Sequence, residues 1–257
     1  MAALEWMKTH FVDGGVAVRV SMGVAGGVCR HAQGMTMKAL FLLAAALAAS
    51  TASAAVTPAP SSFRIGGVDF SLPLPTGYCM PQGKQIDIAQ LIAAADSNSV
   101  THLTLVQCGV ELGTGANDYT LIKTPKMALV TEIDRPTLLA SLGAEFDKPE
   151  TLKYLQSDAF DKKVSEDAGK VIPGRPQFAG DIRPLGRDDV CAYLGGTTKV
   201  AGNGTSYSQA VGTCITSVGK RVVVVNRYGV RADDAGVAIL LRQARALALT
   251  IKASSPG

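Results

Sequence analysis

Four of the five cysteines, one central histidine and two pairs of adjacent aspartates hold most of the reactive chemistry open to this 257-residue chain. Cys79, Cys108, Cys191 and Cys214 contain no C-x-x-C pair, which argues against a zinc ribbon or a thioredoxin-type redox site and for two structural disulfides. One pairing follows from strand register. If Asp189 to Val200 and Tyr207 to Val218 form a hairpin centred between Gly202 and Asn203, opposed residue numbers sum to 405, which sets Cys191 against Cys214. A loop of Asn203-Gly204 moves the sum to 407 and sets Cys191 against Thr216 instead, so the pairing depends on the turn. Cys79 and Cys108, each at a strand end, are the remaining partners.

His102 is the one histidine beyond residue 31, so a Ser-His-Asp or Cys-His site would have to be built on it. It falls in an expected strand over 100–108 on the face opposite Leu103 and Leu105, which points it at solvent or a second layer. No G-x-S-x-G nucleophile elbow accompanies it. Asp188-Asp189 and Asp233-Asp234 could in principle serve a calcium ion or an acid–base pair. Adjacent residues on a strand face opposite ways, however, and Asp233-Asp234 is accounted for by capping the helix that follows. Gly202-Asn203-Gly204 lies between strands with no helix on which a phosphate could rest, and the sequon Asn203-Gly204-Thr205 is incidental behind a bacterial-type leader. Lys162-Lys163 reads as a solvated face. These residues give no catalytic, cofactor-binding or metal-ligating assignment, and the chain is expected to fold without metal or cofactor.

The elements that would position these residues are legible to different degrees. Phe63 to Leu74 holds two apolar runs joined by Gly66-Gly67, which suits a hairpin or a kinked strand closing at Pro73 and Pro75, and Ile88, Leu91, Ile92 and Ala95 recur at helical spacing. A second strand over 118–130 is confined to an edge or split by Pro125. Arg135 to Phe146 reads as a helix with Pro136 in its first turn, and 147–180 as one short helix followed by a mobile connection where a partner could bind. Asp189 to Val200, Tyr207 to Val218 and Arg221 to Tyr228 read as three strands, the last central and covered on both faces because Val222 to Val225 are all apolar. A terminal helix then presents Val237, Leu240, Ala244, Leu247 and Ala248 on one stripe. The fold class expected is α+β: a mainly antiparallel sheet with helices packed on its faces, ending in a three-strand meander and a C-terminal helix.

Residues 35–54 carry a secretory signal, with Lys38 as n-region, an apolar run over 39–49 and Ala52-Ser53-Ala54 for cleavage. Residues 1–34 then read as an over-extended gene-model segment, with a long n-region as the competing reading, 55–62 as a linker, 63–253 as a single domain and 254–257 as a tail. Cleavage removes four of the 25 basic and two of the 21 acidic residues, leaving a nearly neutral chain with no basic stripe for nucleic acid. It also leaves no stable membrane anchor, so the location expected is periplasmic or secreted.

The order of elements, with phrases such as FSLPLPTGYC (70–79) and PLGRDD (184–189) followed by VVVVNRYG (222–229), resembles the PsbP-like fold over most of residues 61–253. That resemblance implies a non-catalytic binding or assembly factor and assigns no functional residues. The function expected is therefore an exported domain acting on an envelope or secreted protein partner. The alternative is a periplasmic hydrolase with a carboxylate or Ser/Lys site not located in the sequence.

Overall fold

The computed structural model describes residues 60–254 except 114, 116 and 203. The signal segment, the residues upstream of it, most of the linker and tail, and the asparagine of the sequon lie outside the described residues.

Among the described residues, ten strands and five α-helices form an α+β fold with two antiparallel sheets. The smaller sheet joins β1 (Ser61–Ile65), β2 (Val68–Leu72) and β10 (Lys252–Ala253) in the order β1-β2-β10. The β1–β2 turn is the expected Gly66-Gly67, with φ of +52° and +85°. Gly66 is required for a second reason: a Cβ there would run into the Leu129 carbonyl oxygen. Arg221 fastens the same turn from the large sheet by donating to the carbonyls of Gly66 and Val130.

The larger sheet contains β3 (Tyr78–Cys79), β4 (Ser99–Gln107), β5 (Tyr119–Pro125), β6 (Gln177–Arg187), β7 (Ala192–Gly202), β8 (Thr205–Val218) and β9 (Arg221–Gly229). Their order is β3-β4-β5-β9-β8-β7-β6. β9 is central and every one of its residues is buried, as its run of four valines implies. Its turn from β8 is Gly219-Lys220, both at positive φ, the two-residue geometry that matches strand twist. Pro125 neither splits β5 nor makes it an edge; it ends the strand, and a single 3₁₀ turn, Lys126–Ala128, follows.

Residues 147–180 differ most from expectation. They hold two helices, α3 (Pro149–Leu155) and α4 (Asp158–Gly169), and then the start of β6. β6 makes the meander four strands rather than three. Its two glycines, proline and alternating charges hide it in sequence, and it forms because its neighbours supply what its side chains lack. β7 pairs it along one side. On the other side Ser165 Oγ and Asp161 Oδ1, one turn apart on α4, accept from the N–H groups of Phe178 and Gly180. An open strand edge invites pairing with another chain, and α4 closes this one over those residues.

Helices cover both faces of the large sheet. One face receives α1 (Gln85–Ala95), α2 (Arg135–Phe146), α3 and α4, which bury Leu138, Leu142, Phe160 and Val164 against Leu194, Ile215 and Val224. The other receives the small sheet and α5 (Asp234–Thr250), whose Ala244, Leu247 and Ala248 pack with Val223 and Val225. Asp233 caps α5 by accepting from Gly236 N–H at 2.7 Å, as read from the sequence.

Candidate functional site

Both disulfides are formed, Cys79 with Cys108 and Cys191 with Cys214, each with Cα atoms 5.2 Å apart. The register used to derive the second pair is overturned. The β7–β8 ladder runs Tyr193↔Cys214 and out to Gly202↔Thr205, a sum of 407. Cys191 still reaches Cys214 because β7 starts only at Ala192. The chain before it is a tight turn in which Asp188 N–H donates to the Cys191 carbonyl and Asp188 Oδ1 accepts from the N–H groups of Val190 and Cys191. Freed from the ladder, Cys191 swings toward a partner two residues out of register. Two disulfides suggest a protein that matures outside the cytoplasm. Among the described residues, no helix is long and apolar enough to cross a membrane.

The same turn corrects the reading of Asp188 and Asp189. They are not on a strand, and they converge on one cation: Arg245 Nε lies 2.6 Å from Asp188 Oδ2 and its Nη2 lies 3.2 Å from Asp189 Oδ1. Desolvation pushes the Asp188 carboxyl up. The bonds it accepts from Cys191 N–H, the Tyr193 hydroxyl, Arg245 and Val190 N–H overcome that and hold it far below the usual carboxylate range. Asp188 is thus a structural anchor. Asp234, by contrast, meets Arg183 at 3.3 Å on the surface.

His102 also departs from the expected face. The β4–β5 register shifts between Thr101 and Leu103, a bulge that turns His102 onto the side of the small sheet, where it stacks on Phe63 at 5.5 Å. Its Nε2 lies 3.0 Å from Thr124 Oγ1, and the Thr124 hydroxyl proton goes to the Val222 carbonyl. The hydroxyl must therefore accept from His102 Nε2–H. Burial lowers the His102 pKa to about 4. The described residues contain no group of three His, Cys, Asp or Glu placed to hold a metal.

Three hollows among the described residues bear on function. A crevice of about 40 Å³ between α4 and the large sheet is lined by Ser99, Lys123, Asp161, Thr198, Thr213 and Asn226 among apolar side chains. Lys123 Nζ is 2.6 Å from Asp96 Oδ2 in a pair buried at both ends, and an ammonium bound to a carboxylate has no lone pair to offer as a base. Thr198 Oγ1 and Asn226 Oδ1 lack protein partners, and a space of that size admits the few waters such atoms need. A groove of about 160 Å³ beside α2 is walled by Ile133, Leu138, Leu142 and Val222, with Glu145 turned to Lys148 and Thr151.

The third hollow, about 150 Å³, lies where β3, the end of β9 and the first turns of α5 meet, and is lined by Tyr78, Asp118, Val230, Arg231, Ile239 and Gln243 among others. Two exposed apolar side chains line it. Val230 is 56 % exposed and Ile239 is also exposed. Met80, Ile86 and Val110, none of which lines the hollow, are exposed as well, and Gln85 Nε2 donates to the Val110 carbonyl at 2.6 Å. Beneath this surface Arg227, only 4 % exposed, donates to Thr120 Oγ1, the Tyr78 hydroxyl and Gln243 Oε1 at 2.6, 2.6 and 2.8 Å, and its guanidinium sits 4.3 Å over the Tyr78 ring. Sequence reading missed this surface. Its signal was Arg227 itself, a charge at the same parity as the core residues Val223 and Val225.

No protein-family model matches the chain. No curated protein matches it. Among solved structures, that of LpqN, described as involved in cell envelope biogenesis of Mycobacterium tuberculosis, is similar over 76 % of this chain and 91 % of its own, at 14 % identity and a TM-score of 0.28.

Proposed function

We propose that this chain is an exported, non-enzymatic binding or assembly domain for an envelope or secreted protein, and that the surface around Tyr78 is where it binds. The carrying observation is the hollow walled by exposed Val230 and Ile239 and by Tyr78 of the short edge strand that the Cys79–Cys108 bridge ties to β4. Exposed apolar groups scattered singly need no explanation, whereas a group of them around a concavity is the usual form of a protein-binding site. The two disulfides, the leader over 35–54 and the resemblance to PsbP-like binding factors all support the same reading.

The hydrolase alternative has one observation in its favour, the meeting of Ser99, Lys123 and Asp161 in the crevice under α4. The two readings separate in one experiment. A photo-crosslinking residue at Val230 should give a discrete protein adduct in the envelope or secreted fraction that Ile239→Asp abolishes, while the same residue at exposed Leu249 gives none. Equal adducts at both positions would reject the surface, and fluorophosphonate labelling lost in Ser99→Ala would favour the hydrolase.

A further inference from the structure

Among the described residues, the other buried cations are answered by carboxylates. Lys123 meets Asp96 at 2.6 Å and Arg221 meets Glu132 at 3.1 Å. Arg227 is as deeply buried, yet all three of its hydrogen-bond acceptors are neutral, and its Nε has no partner at all. A buried charge without an opposite is costly, and the cost falls when an anion is brought to it.

Two of those neutral acceptors, Tyr78 and Gln243, are also walls of the 150 Å³ hollow. Gln243 is an exposed side chain on α5, held there by the 2.8 Å bond it accepts from Arg227. We infer that its amide oxygen is a stand-in, and that a carboxylate of the partner protein enters the hollow, displaces it, and takes the hydrogen bond from Arg227 Nη2. Val230, Ile239 and the Tyr78 ring would hold the apolar part of the same residue. Asp118 also lines the hollow, with its Oδ1 accepting from Val230 N–H at 3.2 Å and no cation in ion-pair range among the described residues. It opposes the incoming charge and restrains affinity. Arg231 is already paired with Asp233 at 2.9 Å and contributes less.

The inference rests on the proposed binding surface, and its test keeps the two apart. The probes are N-acetylphenylalanine and its uncharged amide, followed by NMR shifts of the Gly229, Gly236 and Leu240 amides in the oxidised protein. The acid should bind at least about tenfold more tightly than the amide. Asp118→Asn should tighten the acid alone, Gln243→Ala should leave its binding intact or stronger, and Arg227→Gln should erase the difference between acid and amide. Equal binding of acid and amide overturns the inference, as does an acid preference that Asp118→Asn leaves unchanged. The Asp118 result stands even if the Arg227 variant fails to fold. Should the acid preference hold while no crosslink forms at Val230, the anion site stands and the protein-binding reading falls; a crosslink that survives without any acid preference gives the reverse.

Discussion

His102 and Asp188 are the two residues whose candidate chemistry turned out to be structural, and both make stability depend on pH in a direction that can be worked out. Burial beside Phe63 lowers His102 from its ordinary 6.5 to about 4, so the unfolded chain takes up that proton first. Its contribution is complete above pH 6.5 and is lost progressively as pH falls toward 4. Thr124 accepts from Nε2–H in either protonation state, so the penalty comes from desolvation and not from a broken bond. Asp188 is depressed instead, so its contribution is present above its ordinary 3.8 and disappears only below that. Acid unfolding should therefore show two limbs, measurable by urea titration at a series of pH values. His102→Gln should flatten the limb between pH 6.5 and 4 and Asp188→Asn the one below it. A parent protein equally stable at pH 7 and pH 4.5 would contradict the assignment for His102.

Elements whose burial follows a simple period were the ones legible in the sequence: β9 with its valines, α5 with its stripe and Asp233 cap, and the Gly66-Gly67 hairpin. Elements held by side chains distant in sequence were not. β6 needed Ser165 and Asp161 of α4 to satisfy its edge, and the β4 bulge that redirects His102 leaves the composition of the strand unchanged. The seating of α5 belongs with these. Gly195 and Gly212 oppose each other on β7 and β8 and open a notch under the helix. A Cβ on Gly212 would lie 2.8 Å from Leu240 Cβ, and one on Gly195 would lie 2.8 Å from Val237 Cγ1. Such distances force the helix outward, so Gly212→Ala should cost about 1 to 3 kcal/mol by overpacking, read as a lower denaturant midpoint with an unchanged slope. If Gly212→Ala is neutral while α5 keeps its position, the close contact is not what seats the helix.

At the scale of the molecule, the two disulfides divide labour between stability and recognition. They span 29 and 23 residues, and chain-entropy reasoning assigns each about 3 kcal/mol, so loop size does not distinguish them. Their surroundings do. Cys191 and Cys214 are fully buried within the core beneath α5, in a ladder that persists without them. Cys79 and Cys108 join a two-residue edge strand to β4, and Tyr78, the chain neighbour of Cys79, walls the proposed binding surface. A strand of two residues has too few ladder bonds to hold its own position, so the bridge must fix the Tyr78 side chain that walls the hollow and whose hydroxyl Arg227 uses. Cys79→Ala with Cys108→Ala should thus raise hydrogen exchange around β3 and remove binding at the Val230 surface at temperatures where the domain is still folded. Cys191→Ala with Cys214→Ala should lower the unfolding midpoint by a similar amount and leave that binding intact. Hydrogen exchange and the Val230 crosslink, measured on both variants under conditions where each is folded, decide the matter. Full binding after loss of Cys79–Cys108 would mean that the edge strand is held by its neighbours and that the bridge serves stability alone.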